Sequence, residues 1–127
     1  MAFKQLTSLN LLQGKVDTTK PILLMYFSTY CPLSRKIVDN VIAKDIPNCE
    51  KVFIACETPK QVAQYIQKYP KEAFAVDQDD LFRSFLYNNV PKLATNYYIF
   101  LLKDGNVLWK GVPESGEFNH SMQKILG

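Results

Sequence analysis

The chain has 127 residues, of which 47% are hydrophobic, 21% charged and 13% aromatic, a size and balance that suit one compact domain spanning residues 1–127. Such a length hides roughly two-thirds of the unfolded surface, so a core can form without disulfides or a structural metal. Fifteen Lys and Arg against twelve Asp and Glu give a net charge of +3, spread along the chain without the clustering that a nucleic-acid patch needs.

The longest apolar run, Ile22 to Phe27, has six residues, and a bilayer span needs roughly 20. No membrane-spanning helix is therefore expected. Met1 to Leu12 carries no basic start, no continuous apolar stretch and no small-residue cleavage site, so a cytoplasmic location is the expectation. The cysteines Cys31, Cys49 and Cys56 are odd in number. Cys49 and Cys56 lie seven residues apart across an expected strand, about 23 Å at 3.3 Å per residue, which is too far to bridge. The single histidine, His120, and the absence of Cys-x-x-Cys or His-x-x-His spacings point to no zinc site, and no cofactor is implied.

Leu6, Leu9 and Leu12 recur at near-helical spacing ahead of Gly14, which predicts a short helix over residues 7–13 with the glycine as its stop. After the polar turn Lys15 to Lys20, the run Ile22 to Phe27 is apolar on both faces and too short for a core helix, so it predicts a central buried strand. Pro32 then fits the first turn of an amphipathic helix whose inner face carries Leu33, Ile37, Val38, Val41 and Ile42. Beyond a loop with Pro47, Val52 to Cys56 predicts a second buried strand. Thr58 and Pro59 supply the N-cap and first residue of a helix bearing Val62, Ala63, Tyr65, Ile66 and Tyr69, stopped by Pro70. Phe74 to Val76 is a short strand, and Leu81, Phe82, Phe85 and Leu86 mark a helix from near Asp79 to Asn88 and Asn89. Tyr97 to Leu102 and Val107 to Trp109 flank Asp104-Gly105 as a hairpin, and Phe118, Met122, Ile125 and Leu126 mark a last helix over residues 117–126. Alternating strands and helices give parallel crossovers, and a hairpin is antiparallel. The fold class is therefore α/β, a mixed central sheet with helices on both faces and a C-terminal hairpin plus helix, with Phe27, Ile54 and Ile99 in its core.

From about Pro21 to Leu126 this order resembles the thioredoxin-like fold. The stretch Phe27-Ser28-Thr29-Tyr30-Cys31-Pro32-Leu33-Ser34-Arg35-Lys36 is similar to that family's active-site pattern of aromatic, small residues, aromatic, Cys, Pro, any residue, Cys and basic residues. Lys103-Asp104-Gly105-Asn106-Val107 resembles its terminal hairpin. The strand and helix between Phe74 and Asn89 resemble the branch of thiol-specific antioxidant enzymes and of the thioredoxin-like proteins of cytochrome maturation. The resemblance implies thiol-disulfide chemistry at Cys31, with protein or low-molecular-weight thiols and disulfides as partners. It also implies a substrate groove formed by Tyr30, Pro32, Ala94, Thr95 and Asn96. Two departures stand out. Ser34 replaces the family's second cysteine, giving Cys-x-x-Ser. The family's cis-proline is replaced by Ala94 before Thr95, or by Asn96 before Tyr97, with Pro91 too early in the chain. A cis bond without proline costs about 2.5–4 kcal/mol, so this loop is expected to be trans or rearranged.

A cysteine placed where a buried parallel strand ends and a helix begins meets free backbone N–H groups and the helix dipole, which favour a thiolate. Arg35 and Lys36 act in the same direction if their side chains reach back. The Ser34 hydroxyl is expected to donate to the sulfur, yet serine cannot resolve a mixed disulfide, so the catalytic pair Cys31 and Ser34 implies a one-thiol mechanism. Release then uses an external thiol or Cys56, which is expected at the same carboxyl edge as either a resolving thiol or a buried core residue. Cys49 is expected to be unpaired. Two further readings stay open. One is a redox-inactive binding module that uses the same groove with Cys31 as a spectator. The other is a one-cysteine peroxidase, which needs a hydroxyl from Ser28 or Thr29 and an arginine, Arg35 or Arg83. His120 reads as a solvated surface residue, and Tyr97, Tyr98 and Trp109 as core packing. No feature of the sequence indicates the oligomeric state.

Overall fold

Successive side chains of a strand alternate in direction, so a strand of six apolar residues has three to bury on each side. Strand β2 (Ile22–Phe27) does this: Leu23, Met25 and Phe27 face one way, Ile22, Leu24 and Tyr26 the other, and none is more than 5% exposed. The computed structural model describes residues 10–77, 81–89, 99–113 and 116–127. On one edge β2 pairs in parallel with β3 (Glu50–Ala55), from Ile22↔Glu50 to Phe27↔Ala55, and on the other it pairs antiparallel with β5 (Ile99–Lys103), from Ile22↔Leu102 to Met25↔Ile99.

The six strands are ordered β1-β4-β3-β2-β5-β6, with β4 (Ala73–Val76) parallel to β3 and β6 (Asn106–Gly111) antiparallel to β5. Helix α1 (Pro32–Ala43) joins β2 to β3, and α2 (Pro59–Ile66) joins β3 to β4. Both crossovers step in the same direction across the sheet, so right-handed connections put both helices on one face. There Ile37, Val38, Val41, Val62, Tyr65 and Ile66 pack against the Leu23, Met25 and Phe27 side of the sheet, joined by Phe118 and Met122 of α4 (Glu117–Leu126). Helix α3 (Leu81–Asn89) covers the opposite face with Phe82 and Leu86. This is the expected mixed sheet with helices on both faces. Phe27, Ile54 and Ile99 are fully buried.

The local punctuation follows the sequence. The Thr58 N–H donates to Gln61 Oε1 at 2.9 Å at the start of α2, with Pro59 in the first turn. Asp104 (φ 53°) and Gly105 (φ 81°) give the hairpin its two left-handed central residues. At the C-terminal end of α1, Lys51 Nζ reaches from β3 to donate to the carbonyls of Ile42 (3.3 Å) and Lys44 (2.5 Å), supplying the cation that a helix terminus favours.

Several expectations are corrected. Residues 10–13 are not helical but form strand β1 (Asn10–Gln13), antiparallel to β4 from Asn10↔Val76 to Gln13↔Phe74; residues 7–9 lie outside the described residues. A helix this short gains few hydrogen bonds for the cost of its nucleus, whereas pairing satisfies the otherwise open edge of β4. Gln13 Nε2 strengthens the join by donating to the carbonyls of Tyr69 (2.7 Å) and Glu72 (2.9 Å). Gly14 therefore ends a strand rather than a helix. On α1, Leu33 is 50% exposed and Ser34 takes the inward position. Ala63 and Ile125 are exposed rather than inward. Tyr69 lies beyond the end of α2 and bonds Asp39 of α1 through its hydroxyl. Cys56 lies one residue beyond β3.

Gly14 has φ +85°, and a Cβ built there would sit 2.8 Å from the Ala73 Cα. Gly14→Ala is expected to lower stability by about 1–3 kcal/mol, read as a lower urea midpoint. An unchanged midpoint would show that the β1–β4 junction tolerates displacement.

Candidate functional site

Strands β2, β3 and β4 run parallel and so end on one edge of the sheet, at Phe27, Ala55 and Val76. Crevices outside the carboxyl ends of such strands are where open α/β sheets bind ligands. Beyond Phe27 the chain turns through residues 28–31, closed by the Cys31 N–H donating to the Ser28 carbonyl at 3.4 Å. Cys31 is the N-cap of α1 in extended conformation (φ −98°, ψ 110°), and its carbonyl accepts the first helical bond from the Arg35 N–H at 3.0 Å. Pro32 follows in the first turn, where its missing N–H costs no hydrogen bond. Cys31 is thus half-buried at the strand-to-helix junction anticipated for it.

Glu57 governs this turn from the neighbouring strand end. Its Oε1 accepts from both the N–H and the Oγ1–H of Thr29, each at 2.7 Å, and its Oε2 accepts from the Cys56 thiol. Partial burial pulls the Glu57 carboxyl up, but the hydrogen bonds from Cys56, Thr29 and Ser28 outweigh it and hold the group below the usual carboxylate range. Arg35 grips the other end of the same residue, donating from Nη1 to the Thr29 carbonyl at 2.5 Å. Thr29, two residues before Cys31, is thereby fixed at its N–H, its hydroxyl and its carbonyl.

The expected site residues are only partly gathered. Ser34 is fully buried, and its Oγ accepts from the Ser28 N–H at 3.1 Å; no hydrogen bond joins it to Cys31, contrary to expectation. A small hydroxyl at this inward position caps the free N–H after β2. Tyr30 is 68% exposed, its hydroxyl accepting from Gln61 Nε2 at 3.0 Å, and Pro32 is exposed beside it. Ala94, Thr95 and Asn96, with Pro91, Tyr97 and Tyr98, lie outside the described residues. Cys56 is exposed rather than buried, at the edge where it was expected. Arg35 donates to the Thr29 carbonyl and makes no hydrogen bond to the Cys31 sulfur, and Lys36 is exposed. Arg83 is exposed on α3, with Nε donating to the Tyr87 hydroxyl. His120 is exposed, Cys49 is half-buried at the opposite end of β3, and Trp109 meets Phe118 edge-on at 5.6 Å. No cluster of potential metal ligands occurs among the described residues, and no helix among them is long and apolar enough to cross a membrane. Glu57 was missed from sequence. Its only signal is a carboxylate directly after a strand-ending cysteine, which gains meaning once β2 and β3 are known to be neighbours.

No family model matches the sequence, and no curated protein matches it. Solved structures do. A thioredoxin-like protein from Aeropyrum pernix superposes with a TM-score of 0.60 at 18% identity, over 86% of this chain and 80% of that one. The chain has a thioredoxin-like fold. An uncharacterised thioredoxin-like protein from Porphyromonas gingivalis shares it with a TM-score of 0.63 at 14% identity, over 99% of this chain and 94% of the other. So does a protein assigned as the thiol:disulfide interchange protein DsbE of Chlorobium tepidum, with a TM-score of 0.61 at 18% identity over 87% and 82%. At these identities the likeness is one of fold. Within it, Cys31 occupies the junction between the central parallel strand and the following helix, and Ser34 stands one turn into that helix.

Cys56 is pushed up to about 11, first by partial burial of its sulfur and then by its hydrogen bond to, and repulsion from, the Glu57 carboxylate. Against an ordinary thiol at 9.0, that leaves roughly a hundredfold less thiolate at pH 8. Cys56 is therefore expected to alkylate slowly despite its exposure, and Glu57→Gln to speed it; fast labelling in the unmutated protein would refute the pairing. The signs of the linked stability differ. The Glu57 contribution is present above the ordinary carboxylate value and is lost as pH falls through its depressed one. The Cys56 contribution is present below 9.0 and is lost as pH rises through about 11.

Proposed function

We propose that this thioredoxin-like protein performs thiol-disulfide exchange through Cys31 by a one-thiol route. The Cys31 thiolate attacks one sulfur of a protein or low-molecular-weight disulfide; that disulfide breaks, a mixed disulfide forms at Cys31, and the second sulfur leaves as a thiolate that takes a proton from water. A thiolate from outside the chain then attacks the bound partner's sulfur and forms a new disulfide with it, and Cys31 leaves as the thiolate. The observation that supports this most is a half-buried cysteine at the N-cap of α1, preceded by a turn clamped between Glu57 and Arg35. Ser34 offers no second sulfur, and a cytoplasmic setting, where thiols stay reduced, suits the route.

A second reading has its own support. Tyr30 is 68% exposed and Leu33 50% exposed on either side of Cys31, an apolar surface that a redox-inactive binding module would use. The peroxidase reading is weakened, because both hydroxyls it could use to position peroxide, those of Ser28 and Thr29, are engaged by Glu57.

The test adds a small disulfide and follows the protein by mass. A stable mixed disulfide at Cys31, absent in Cys31→Ser, is expected, together with negligible reduction of insulin. Ser34→Cys supplies a sulfur one helical turn on and is expected to let Cys31 form an internal disulfide, with a measurable gain in insulin reduction. Failure of Cys31 to form any mixed disulfide would favour the binding module; strong reductase activity in the unmutated protein would overturn the one-thiol route.

A further inference from the structure

Beside the Cys31 turn runs an open groove of about 310 Å³ between α1 and α2. Thr29 and Tyr30 form its wall on the side of Cys31, and its other polar lining comes from Arg35, Gln61, Gln64 and Lys68. Gln61, Gln64 and Lys68 fall at i, i+3 and i+7, so one face of α2 and the turn that follows it presents them together. The lining holds two cations and two amides and no carboxylate.

The balance of charge around the groove sharpens this. Asp39, behind Tyr65, accepts from the hydroxyls of Tyr65 and Tyr69, and Glu57, behind Thr29, accepts from Thr29 and Cys56. Both neighbouring carboxylates are thus engaged by protein donors. Among the described residues neither Arg35 nor Lys68 has an ion-pair partner: Arg35 spends one N–H on the Thr29 carbonyl, and Lys68 Nζ lies 5.5 Å from the centroid of the Tyr65 ring. A lysine over an aromatic face keeps its charge beside a surface that a ligand can share.

We infer that the α1–α2 groove binds the acidic segment of a protein disulfide substrate, holding carboxylate side chains next to the reacting cysteine against Arg35 and Lys68. The inference rests on thiol exchange at Cys31 and adds a substrate class to it. The wall shared with the Cys31 turn fixes the geometry: a chain whose cysteine meets Cys31 lays its neighbouring residues across Tyr30 into the groove. Opposite charge in such a site raises the encounter rate and discriminates against basic partners.

The experiment uses two peptides of equal length, each with one cysteine activated as a thionitrobenzoate disulfide, one flanked by glutamates and the other by lysines. Release of the chromophore on attack by the full chain is followed at low salt. The acidic peptide is expected to react about tenfold faster, with the preference collapsing at about 1 M NaCl, where the screening length falls to about 3 Å. Lys68→Glu is expected to abolish or invert the preference, read as the ratio of the two peptide rates. Lys124→Glu on α4, an exposed site with the same change in net charge, is expected to retain the preference. Equal rates with the two peptides, or equal effects of the two variants, would overturn the groove. Absence of chromophore release with every disulfide, an uncharged small one included, would instead overturn the thiol exchange itself.

Discussion

A strand buried on both faces can keep its backbone polar groups out of trouble only by pairing along both edges. Ile22–Phe27 meets that condition with β3 on one side and β5 on the other, and the rest of the molecule follows from it. Parallel pairing with β3 forces a crossover, handedness puts α1 and α2 on one face, and the opposite face then needs α3 to cover Ile22, Leu24 and Tyr26. The ends of three parallel strands are brought to one edge as a geometric consequence. Cys31 sits there because a helix has to start as soon as β2 stops.

That edge is polar by necessity. Each strand end leaves N–H groups that the sheet no longer pairs, and the local solutions double as the architecture of the site. Ser34 Oγ receives the Ser28 N–H, Glu57 receives Thr29, and the Asp77 carboxylate at the end of β4 receives the N–H groups of Phe82 (2.8 Å) and Arg83 (2.9 Å) at the start of α3. A side chain on one strand end therefore fixes the turn of its neighbour. The Cys31 turn is held by residues from β3's exit as much as by its own sequence, which makes its conformation a property of the β2–β3 register.

What was legible in the sequence was what depends on near neighbours. The unbroken apolar run of β2, the Thr58-Pro59 helix start and the Asp104-Gly105 turn carry their causes within a few residues. Strand β1 does not: its four residues are a strand because Ala73–Val76 offers an open edge more than sixty positions later in the chain. The inward face of α1 was misplaced at Leu33 because a hydrophobic pattern ranks leucine above serine, while the structure needs a hydroxyl at Ser34 to satisfy a backbone donor. The candidate site divides in the same way. Cys31 was legible from its strand-to-helix setting, whereas Glu57 acquires a role only through a contact across 28 residues of sequence.

The same network bears on how a sulfur bound at Cys31 could be released. Three groups within the chain are candidates for the second attack. Ser34 lacks the sulfur, and its oxygen already accepts the Ser28 N–H. Cys49 lies at the far end of β3, about 23 Å from Cys56 along the strand, with its thiol donating to the Ile46 carbonyl. Cys56 is at the right edge, but the carboxylate that anchors the Cys31 turn also holds its proton. To act as a nucleophile it would have to lose that proton beside a negative charge, and its departure would remove one of the donors that keep Glu57 in place. The residue best situated to resolve the intermediate is thus bound into the structure that positions the attacking cysteine, and on the proposed reading the second thiol comes from outside the chain.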